Sequence, residues 1–285
     1  MNEPDRGLGW KYDLPSPNTE ASIDSITTVP PRVLSDMNEN YLELSRATLK
    51  LRGGWIVIGV VISIMFLTGP VSLFGHFPLK PNLAGLKELF LDIFFHAFFF
   101  LLLAPSIRMD LGFPKNEPIR FNRQRRKVYF YQFRFNLLNP FGKKNWGVKP
   151  VAYDWDDLTL EAYRIYAPMG YGGLKEEVKI SICKPGTHEV IDRVFFTDDI
   201  EQGEHCWAIV RLFMQQGPEA LRDVLPHSSN GDEIPTPNPA VKAVFRNPFD
   251  HLAPEVQWPA EMDLESRTAP TPGKQSNDNN FCRPN

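Results

Sequence analysis

Few residues of this 285-residue chain are of types and spacings that suit catalysis or metal binding. Asp154, Asp156 and Asp157 are close in sequence, but they lack the spacing and the glycine of a calcium-binding loop. Cys183 and His188 form a C-x4-H pair without a second ligand pair nearby, which disfavours zinc. Hydrolase elbows, P-loops and HExxH and GxGxxG motifs are absent. We therefore predict a protein that is not an enzyme and that holds no metal or cofactor.

A basic cluster is the strongest charge feature of the chain. Residues 108–134 carry eight Lys and Arg against two acidic residues, a local net charge of +6, and the candidate lipid-headgroup residues are Arg120, Arg123, Arg125, Arg126 and Lys127. Positive charge beside a membrane attracts anionic headgroups. The alternative is that the cluster only keeps a tight turn soluble and sets membrane topology. The net charge of -3 for the whole chain argues against a nucleic-acid binder.

Two apolar stretches predict a pair of membrane-spanning helices. Residues 53–75 contain no charged residue, and 23 residues of helix are about 34 Å long, enough to cross a bilayer core. The second stretch, 86–107, is rich in phenylalanine but contains Asp92 and His96, which are one helical turn apart. About a dozen residues separate the two stretches, so they predict a tight hairpin.

Basic residues predict the orientation of this hairpin. Lys and Arg are frequent before the first span and after the second, whereas the connecting loop offers only Lys80 and Lys87. Positively charged flanks remain in the cytoplasm. Both termini are therefore predicted to be cytoplasmic.

Composition divides the chain into four segments. Residues 1–45 are polar and aperiodic, which predicts a disordered arm, although residues 35–51 have the pattern of a helix leading into the membrane. The hairpin occupies residues 46–107, and a cytoplasmic domain follows over 108–225. Residues 226–285 contain ten prolines, which predicts a mostly disordered tail.

The pattern of the domain predicts an α+β fold. Strand patterns occur at 117–121, 127–135, 158–163, 178–183 and 190–196, and helical periodicity at 201–217. In the second of these strands, alternation places Tyr129, Tyr131, Phe133 and Phe135 on one face, which we expect to be the inner face. An antiparallel sheet closed by a C-terminal helix is the order of a half-barrel similar to a pleckstrin-homology (PH) domain.

The chain also resembles an uncharacterised two-transmembrane family of proteobacteria. The matching pieces are a basic strand pair over Pro118–Tyr129, an acidic D-W-D-D-L motif over Asp154–Leu158 and a helix over Trp207–Pro218. Members of that family tend to be encoded beside type VI secretion effectors. In layout the chain is similar to immunity proteins for such toxins, including the one that guards against the nuclease effector TseT. The resemblance implies an inner-membrane location and carries over no catalytic residue.

An immunity protein occludes its toxin and needs a complementary surface. The resemblance therefore implies a secreted toxin, such as a nuclease with a basic groove, as the protein partner. The acidic candidates to cover that groove are Asp154, Asp156, Asp157, Asp198, Asp199, Glu201 and Glu204. The alternatives are an accessory or scaffold protein of a secretion system and a PH-like module that reads lipids.

Overall fold

The computed structural model describes residues 6–21, 34–47, 52–74, 83–136, 139, 142, 146–167, 173–187, 189–221 and 247–270. These residues form two antiparallel sheets and four α-helices. The α+β class predicted from the sequence is thereby confirmed. Most of the predicted disordered tail lies outside the described residues.

Nine strands build the two sheets. In chain order they are β1 Trp10–Asp13, β2 Leu34–Met37, β3 Tyr41–Ala47, β4 Glu117–Asn122, β5 Lys127–Arg134, β6 Gly147–Asp154, β7 Leu158–Ala167, β8 Gly173–Cys183 and β9 Val190–Thr197. The five-stranded sheet has the order β2-β3-β4-β5-β6, and the four-stranded sheet has the order β1-β7-β8-β9. Sequence analysis predicted one sheet. The structure forms two because β6 and β7, although consecutive in the chain, do not pair with each other, and strands from the N-terminal region extend each sheet.

The four α-helices are α1 Gly54–Phe74, α2 Leu83–Gly112, α3 Ile200–Gln216 and α4 Ala260–Arg267. Helix α3 agrees with the predicted helix, and its apolar positions lie in the shared core with Trp155 and the inner faces of both sheets. The Asp199 carboxylate accepts a hydrogen bond from the Gln202 N–H and caps its start. Gly217 ends it with φ of +92°, a backbone conformation that favours glycine.

The expected disordered arm contains strands instead. β2 and β3 pair with each other, and β3 pairs with β4, with Ala47 opposite Glu117. These strands also replace the helix expected over residues 35–51. The pattern of a short segment does not show which distant strand it pairs with. β3 could therefore be identified as a strand only from its pairing with β4 in the folded chain.

This pairing places the helical pair between two neighbouring strands. β3 ends at Ala47 and β4 begins at Glu117, and the helices α1 and α2 occupy the chain between them. The chain therefore leaves and re-enters one folded domain at adjacent positions. The N-terminal region and the domain after α2 belong to the same unit.

The buried Arg46 side chain joins the two sheets. The Arg46 guanidinium donates to the backbone oxygen of Phe195 on β9 at 2.9 Å and lies 3.6 Å from the Glu117 carboxylate. Glu117 also accepts a hydrogen bond from the Phe133 N–H. Burial lowers the pKa of Arg46 and raises the pKa of Glu117, and each charge opposes the shift of the other. Arg46 thereby fastens β3 to β9, and Glu117 connects β3, β4 and β5 within their sheet.

The strand β5 is buried on both faces, which differs from the expectation of one inner aromatic face. Val128 and Phe130 lie in the core between the sheets, whereas Tyr129 and Tyr131 point to the opposite face. The C-terminal segment covers that opposite face, as described below. Burial of both faces explains why the aromatic alternation did not identify the inner one.

Candidate functional site

Helices α1 and α2 pack side by side in opposite directions. The Trp55 N–H donates to the Asp110 carboxylate at 3.0 Å, and four residues further along α1 a Cβ on Gly59 would lie 3.1 Å from the Ile107 side chain. Later positions of α1 therefore lie beside earlier positions of α2, so the two helices are antiparallel. Many other described side chains of both helices are large, apolar and exposed, including Val60, Val61, Ile64, Phe90, Ile93, Phe94, Phe98, Phe100, Leu101 and Leu102.

By length and composition, one stretch of the described residues is able to cross a membrane. This stretch is Ile93–Gly112, with a mean hydropathy of 1.5 and 18% of it buried. Helix α1 is 21 residues long, but its side chains are described only as far as Ile64, and that apolar part is shorter. The first span of the expected hairpin, residues 53–75, is therefore not established by this measure. The side chains of Asp92 and His96 lie outside the described residues.

A cluster of polar contacts connects the start of α1 with the end of α2, at the helix base next to the domain. The buried Arg52 guanidinium donates to the backbone oxygens of Asp110 and Pro114, both at 2.8 Å. The Asp110 carboxylate accepts from the N–H groups of Trp55 and Ile56, so a residue of α2 caps the start of α1. Burial lowers the pKa of Arg52. These contacts hold both helix ends against the domain.

Residues 247–270, which we call the C-terminal segment, run from this base along the outer face of the five-stranded sheet. Asn247 donates to the Arg52 backbone oxygen, and the Phe249 ring lies against Gly53. Further along, the Trp258 and Tyr131 rings meet edge to face at 5.2 Å. The described part of the expected disordered tail is thus a bound segment that contains α4.

Arg120 is the centre of this attachment. Its guanidinium donates to the Glu43 carboxylate at 2.6 and 2.9 Å and to the Asp263 carboxylate at 2.9 Å, and it also contacts Ser266. The side chain is only 2% exposed. A headgroup-binding role was predicted for Arg120, but in the structure its N–H groups donate hydrogen bonds to other residues of the protein.

The other basic candidates also contact the chain itself. Arg125 donates to the backbone oxygens of Thr268 and Ala269, and Lys127 lies 3.2 Å from the Glu265 carboxylate. Arg126, about half exposed, donates to Asp156 at 2.6 Å and to Asn18 at 2.8 Å. The Arg123 guanidinium lies over Gly217.

The β4–β5 turn, residues 123–126, lies at the strand end remote from the helix base. Gly112 at the end of α2 contacts the Phe133 ring, where a Cβ would lie 3.4 Å from the ring. Phe133 is six residues along β5 from Lys127, about 20 Å of strand. Headgroup contact by the turn therefore requires the sheet to lie along the membrane surface.

The structure divides the acidic candidates into two groups with different partners. In the first group, Asp156 pairs with Arg126, Asp154 is exposed, and Asp157 is half-buried. Burial, together with the nearby Asp154 and Asp156 carboxylates, raises the pKa of Asp157. Hydrogen bonds from Arg126 and Asn18 outweigh burial and lower the pKa of Asp156.

The second acidic group lies at the start of α3. Asp199 caps the helix, and Glu204 accepts a hydrogen bond from the Tyr12 hydroxyl at 2.6 Å. This bond and burial raise the pKa of Tyr12 to about 12. Asp198 and Glu201 are exposed. Within the described part of the chain, no three His, Cys, Asp or Glu side chains are grouped so that they could hold a metal ion.

Residues 14–21, which we call the N-terminal segment, bind along α3. Trp207 donates to the Pro15 backbone oxygen at 2.7 Å, and Arg211 and Gln215 donate to the Thr19 oxygen at 3.1 and 2.8 Å. These three donors are four residues apart, so they form one row on the helix. Sequence reasoning did not find this row, because Trp207 and Arg211 also fit an amphipathic core helix.

Together these features define a class: a two-sheet α+β domain with a helical pair inserted between adjacent strands and with both terminal segments bound to its surface. The chain belongs to the family described as "Family of unknown function (DUF6708)", whose match covers residues 96–270. The match begins within α2 and includes the C-terminal segment to the last described residue. No curated protein and no solved structure matches the chain.

Proposed function

We propose that this protein is anchored in a membrane by the helical pair α1 and α2. The observation that carries this proposal is the apolar surface that both helices expose, with Val60, Ile64, Phe98 and Phe100 each at least half exposed. Water-facing apolar surface of this extent is unfavourable, whereas lipid solvates it. Because β3 and β4 are neighbours, the two flanks of the pair lie on the same side of the bilayer.

The location that we propose is the bacterial inner membrane, with the domain and both termini in the cytoplasm. The basic residues on the flanks support this orientation. Reporter fusions at the C-terminus test it, since a periplasmic C-terminus would overturn both the orientation and a cytoplasmic target.

The function that we propose is neutralisation of a secreted toxin, as an immunity protein of a type VI secretion locus. The sequence motifs of the resemblance support it, and so do exposed carboxylates at two places on the domain, Asp154 and Glu201 among them. Acidic groups complement the basic substrate groove of a nuclease.

Co-purification with the toxin encoded by the adjacent gene tests this proposal. We expect the detergent-solubilised full-length protein to hold the toxin with sub-micromolar affinity. Asp154→Asn combined with Glu201→Gln should weaken binding at least tenfold. The matched control is Glu255→Gln with Glu261→Gln, which removes two exposed carboxylates from the C-terminal segment. Absence of binding by the native protein would contradict the immunity function.

A lipid-reading module similar to a PH domain is the second candidate. Two antiparallel sheets followed by a closing helix, α3, favour it. The test is flotation of the protein with liposomes that contain anionic lipid, compared with a triple variant of Arg123, Arg125 and Arg126. Binding that depends on these three residues would favour lipid reading over toxin binding.

A further inference from the structure

Four aromatic rings cluster beside the end of α2. The Phe113 and Phe133 rings are 5.3 Å apart, and the Phe135 and Trp146 rings are 6.2 Å apart. Phe133 joins the two pairs, since its ring centre is 6.5 Å from those of both Phe135 and Trp146. Phe135 is 46% exposed. We call these four residues the aromatic cluster.

A cation accompanies the cluster. The Arg108 guanidinium lies 4.5 Å from the centre of the Trp146 ring, and one of its N–H groups donates to the Gly142 backbone oxygen at 2.9 Å. The Trp146 indole N–H donates to the Asn139 backbone oxygen at 2.8 Å. These bonds fix the indole beside the helix while Leu111, on the same helix end, remains 47% exposed.

The depth of the cluster follows from its contact with α2. The apolar stretch ends at Gly112, which the Phe133 ring contacts directly. Arg108 is one helical turn earlier, about 6 Å along the axis. When the stretch Ile93–Gly112 crosses a bilayer, these rings therefore lie at the level of the headgroups. Tryptophan and arginine are favoured at that level, because each has an apolar part and a polar end.

We propose that the aromatic cluster with Arg108 is a second membrane-contact surface, which docks the domain onto the headgroup layer of the bilayer that α2 crosses. The proposal rests on the membrane anchoring proposed above. Its occupant is a phospholipid surface, because the cluster is continuous with the end of the spanning helix. Docking at this end of β5 points the β4–β5 turn away from the membrane.

Tryptophan fluorescence in proteoliposomes tests this surface. The full chain is reconstituted in phosphatidylcholine and phosphatidylglycerol vesicles, with or without lipids brominated near the headgroup end of the acyl chain, which quench nearby indoles. The chain has six tryptophans, and Trp155 and Trp207 are buried in the core. We expect Trp146→Phe to remove part of the tryptophan emission that the brominated lipids quench. The emission of the other tryptophans should be unchanged.

Trp55→Phe, at the start of α1, tests membrane anchoring separately from the second contact surface. If Trp55→Phe removes quenchable emission and Trp146→Phe does not, the anchor stands and the second contact surface is overturned. If neither substitution changes the quenching, both proposals fall. Should Trp146→Phe not fold, judged by circular dichroism, Trp146→Tyr replaces it, since it retains an aromatic ring with a polar end and is silent at indole wavelengths.

Discussion

The two terminal segments are attached to the domain by different chemistry. The N-terminal segment is held mainly through its own backbone oxygens, which accept hydrogen bonds from Trp207, Arg211 and Gln215. The C-terminal segment is also bound through backbone oxygens, those of Thr268 and Ala269 among them, but it adds charged side-chain pairs, Asp263 with Arg120 and Glu265 with Lys127. Both segments were expected to be disordered tails, and both are bound.

This difference predicts different responses to solution conditions. Backbone oxygens are neutral at every pH, so bonds to them do not titrate at the acceptor. Carboxylates titrate, and their attraction to cations is screened by salt. The N-terminal attachment should therefore persist where the C-terminal attachment loosens. Four experiments test this difference.

The largest effect is expected for Arg120→Met. Removing this buried cation leaves the Glu43 carboxylate without its partner and Asp263 with Arg267 alone, which should lower the free energy of unfolding by about 3 kcal/mol. Amide hydrogen exchange should speed up over residues 257–269 and change little over residues 14–21. The control is Arg267→Met, which removes an exposed cation from the same Asp263. Equal effects of the two substitutions would contradict a central role for Arg120.

Gln215→Met is expected to have the next largest effect, on the other segment. Gln215 donates to the Thr19 oxygen and accepts from the Ala21 N–H, so its removal should cost about 1 kcal/mol. Exchange should speed up over residues 14–21 alone. The neighbouring Gln216 is exposed, so Gln216→Met is the matched control. A change over residues 257–269 would show that the two attachments are coupled.

Acid should release the C-terminal segment first. Burial alone would raise the pKa of Asp263, but hydrogen bonds from Arg120 and Arg267 outweigh it and lower that pKa. A carboxyl with a lowered folded pKa stabilises the fold above its unfolded value, about 3.9, and this contribution is lost as pH falls through the folded value. Exchange over 257–269, relative to that over 14–21, should therefore increase below about pH 4.

Asp263→Asn should remove most of this acid response. Local exchange is the suitable measurement, because Glu117, whose pKa burial raises, affects global stability in the opposite sense. If the increase in exchange at low pH persists in Asp263→Asn, other titrating groups cause it.

Salt should have the smallest effect. Raising ionic strength from about 0.1 M to about 1 M shortens the screening length from about 10 Å to about 3 Å. The partly exposed pair Lys127–Glu265 should weaken by less than about 1 kcal/mol. Exchange over residues 264–269 should increase slightly, and exchange over 14–21 should not. An equal response of both segments would remove the distinction between them.

Local pattern was sufficient for much of the domain. The alternation in β5 and the helical spacing of Cys206, Ile209 and Phe213 in α3 predicted elements that the structure contains. Both depend on neighbours in the sequence, since the side chains of one element share one core. The bounds of the predicted second span, 86–107, likewise lie within α2.

The candidate site was less predictable, because its charges are balanced by distant partners. The sequence neighbours of Arg120 predict an exposed basic residue. Its hydrogen-bond acceptors Glu43 and Asp263, however, are 77 and 143 residues away in the sequence. A local count of +6 cannot reveal that these partners neutralise part of it. The same holds for Asp156, which is paired with Arg126 across 30 residues.

The order of residues along the chain established the secondary-structure periods, the apolar helices and the basic flanks, because each depends on contacts or solvation within a few residues. Three features arise only when the chain folds: β3 and β4 pair across the inserted helices, Arg46 joins the sheets, and both terminal segments bind to the domain. These features come from non-local pairing, in which burial and charge compensation depend on residues brought together only by folding.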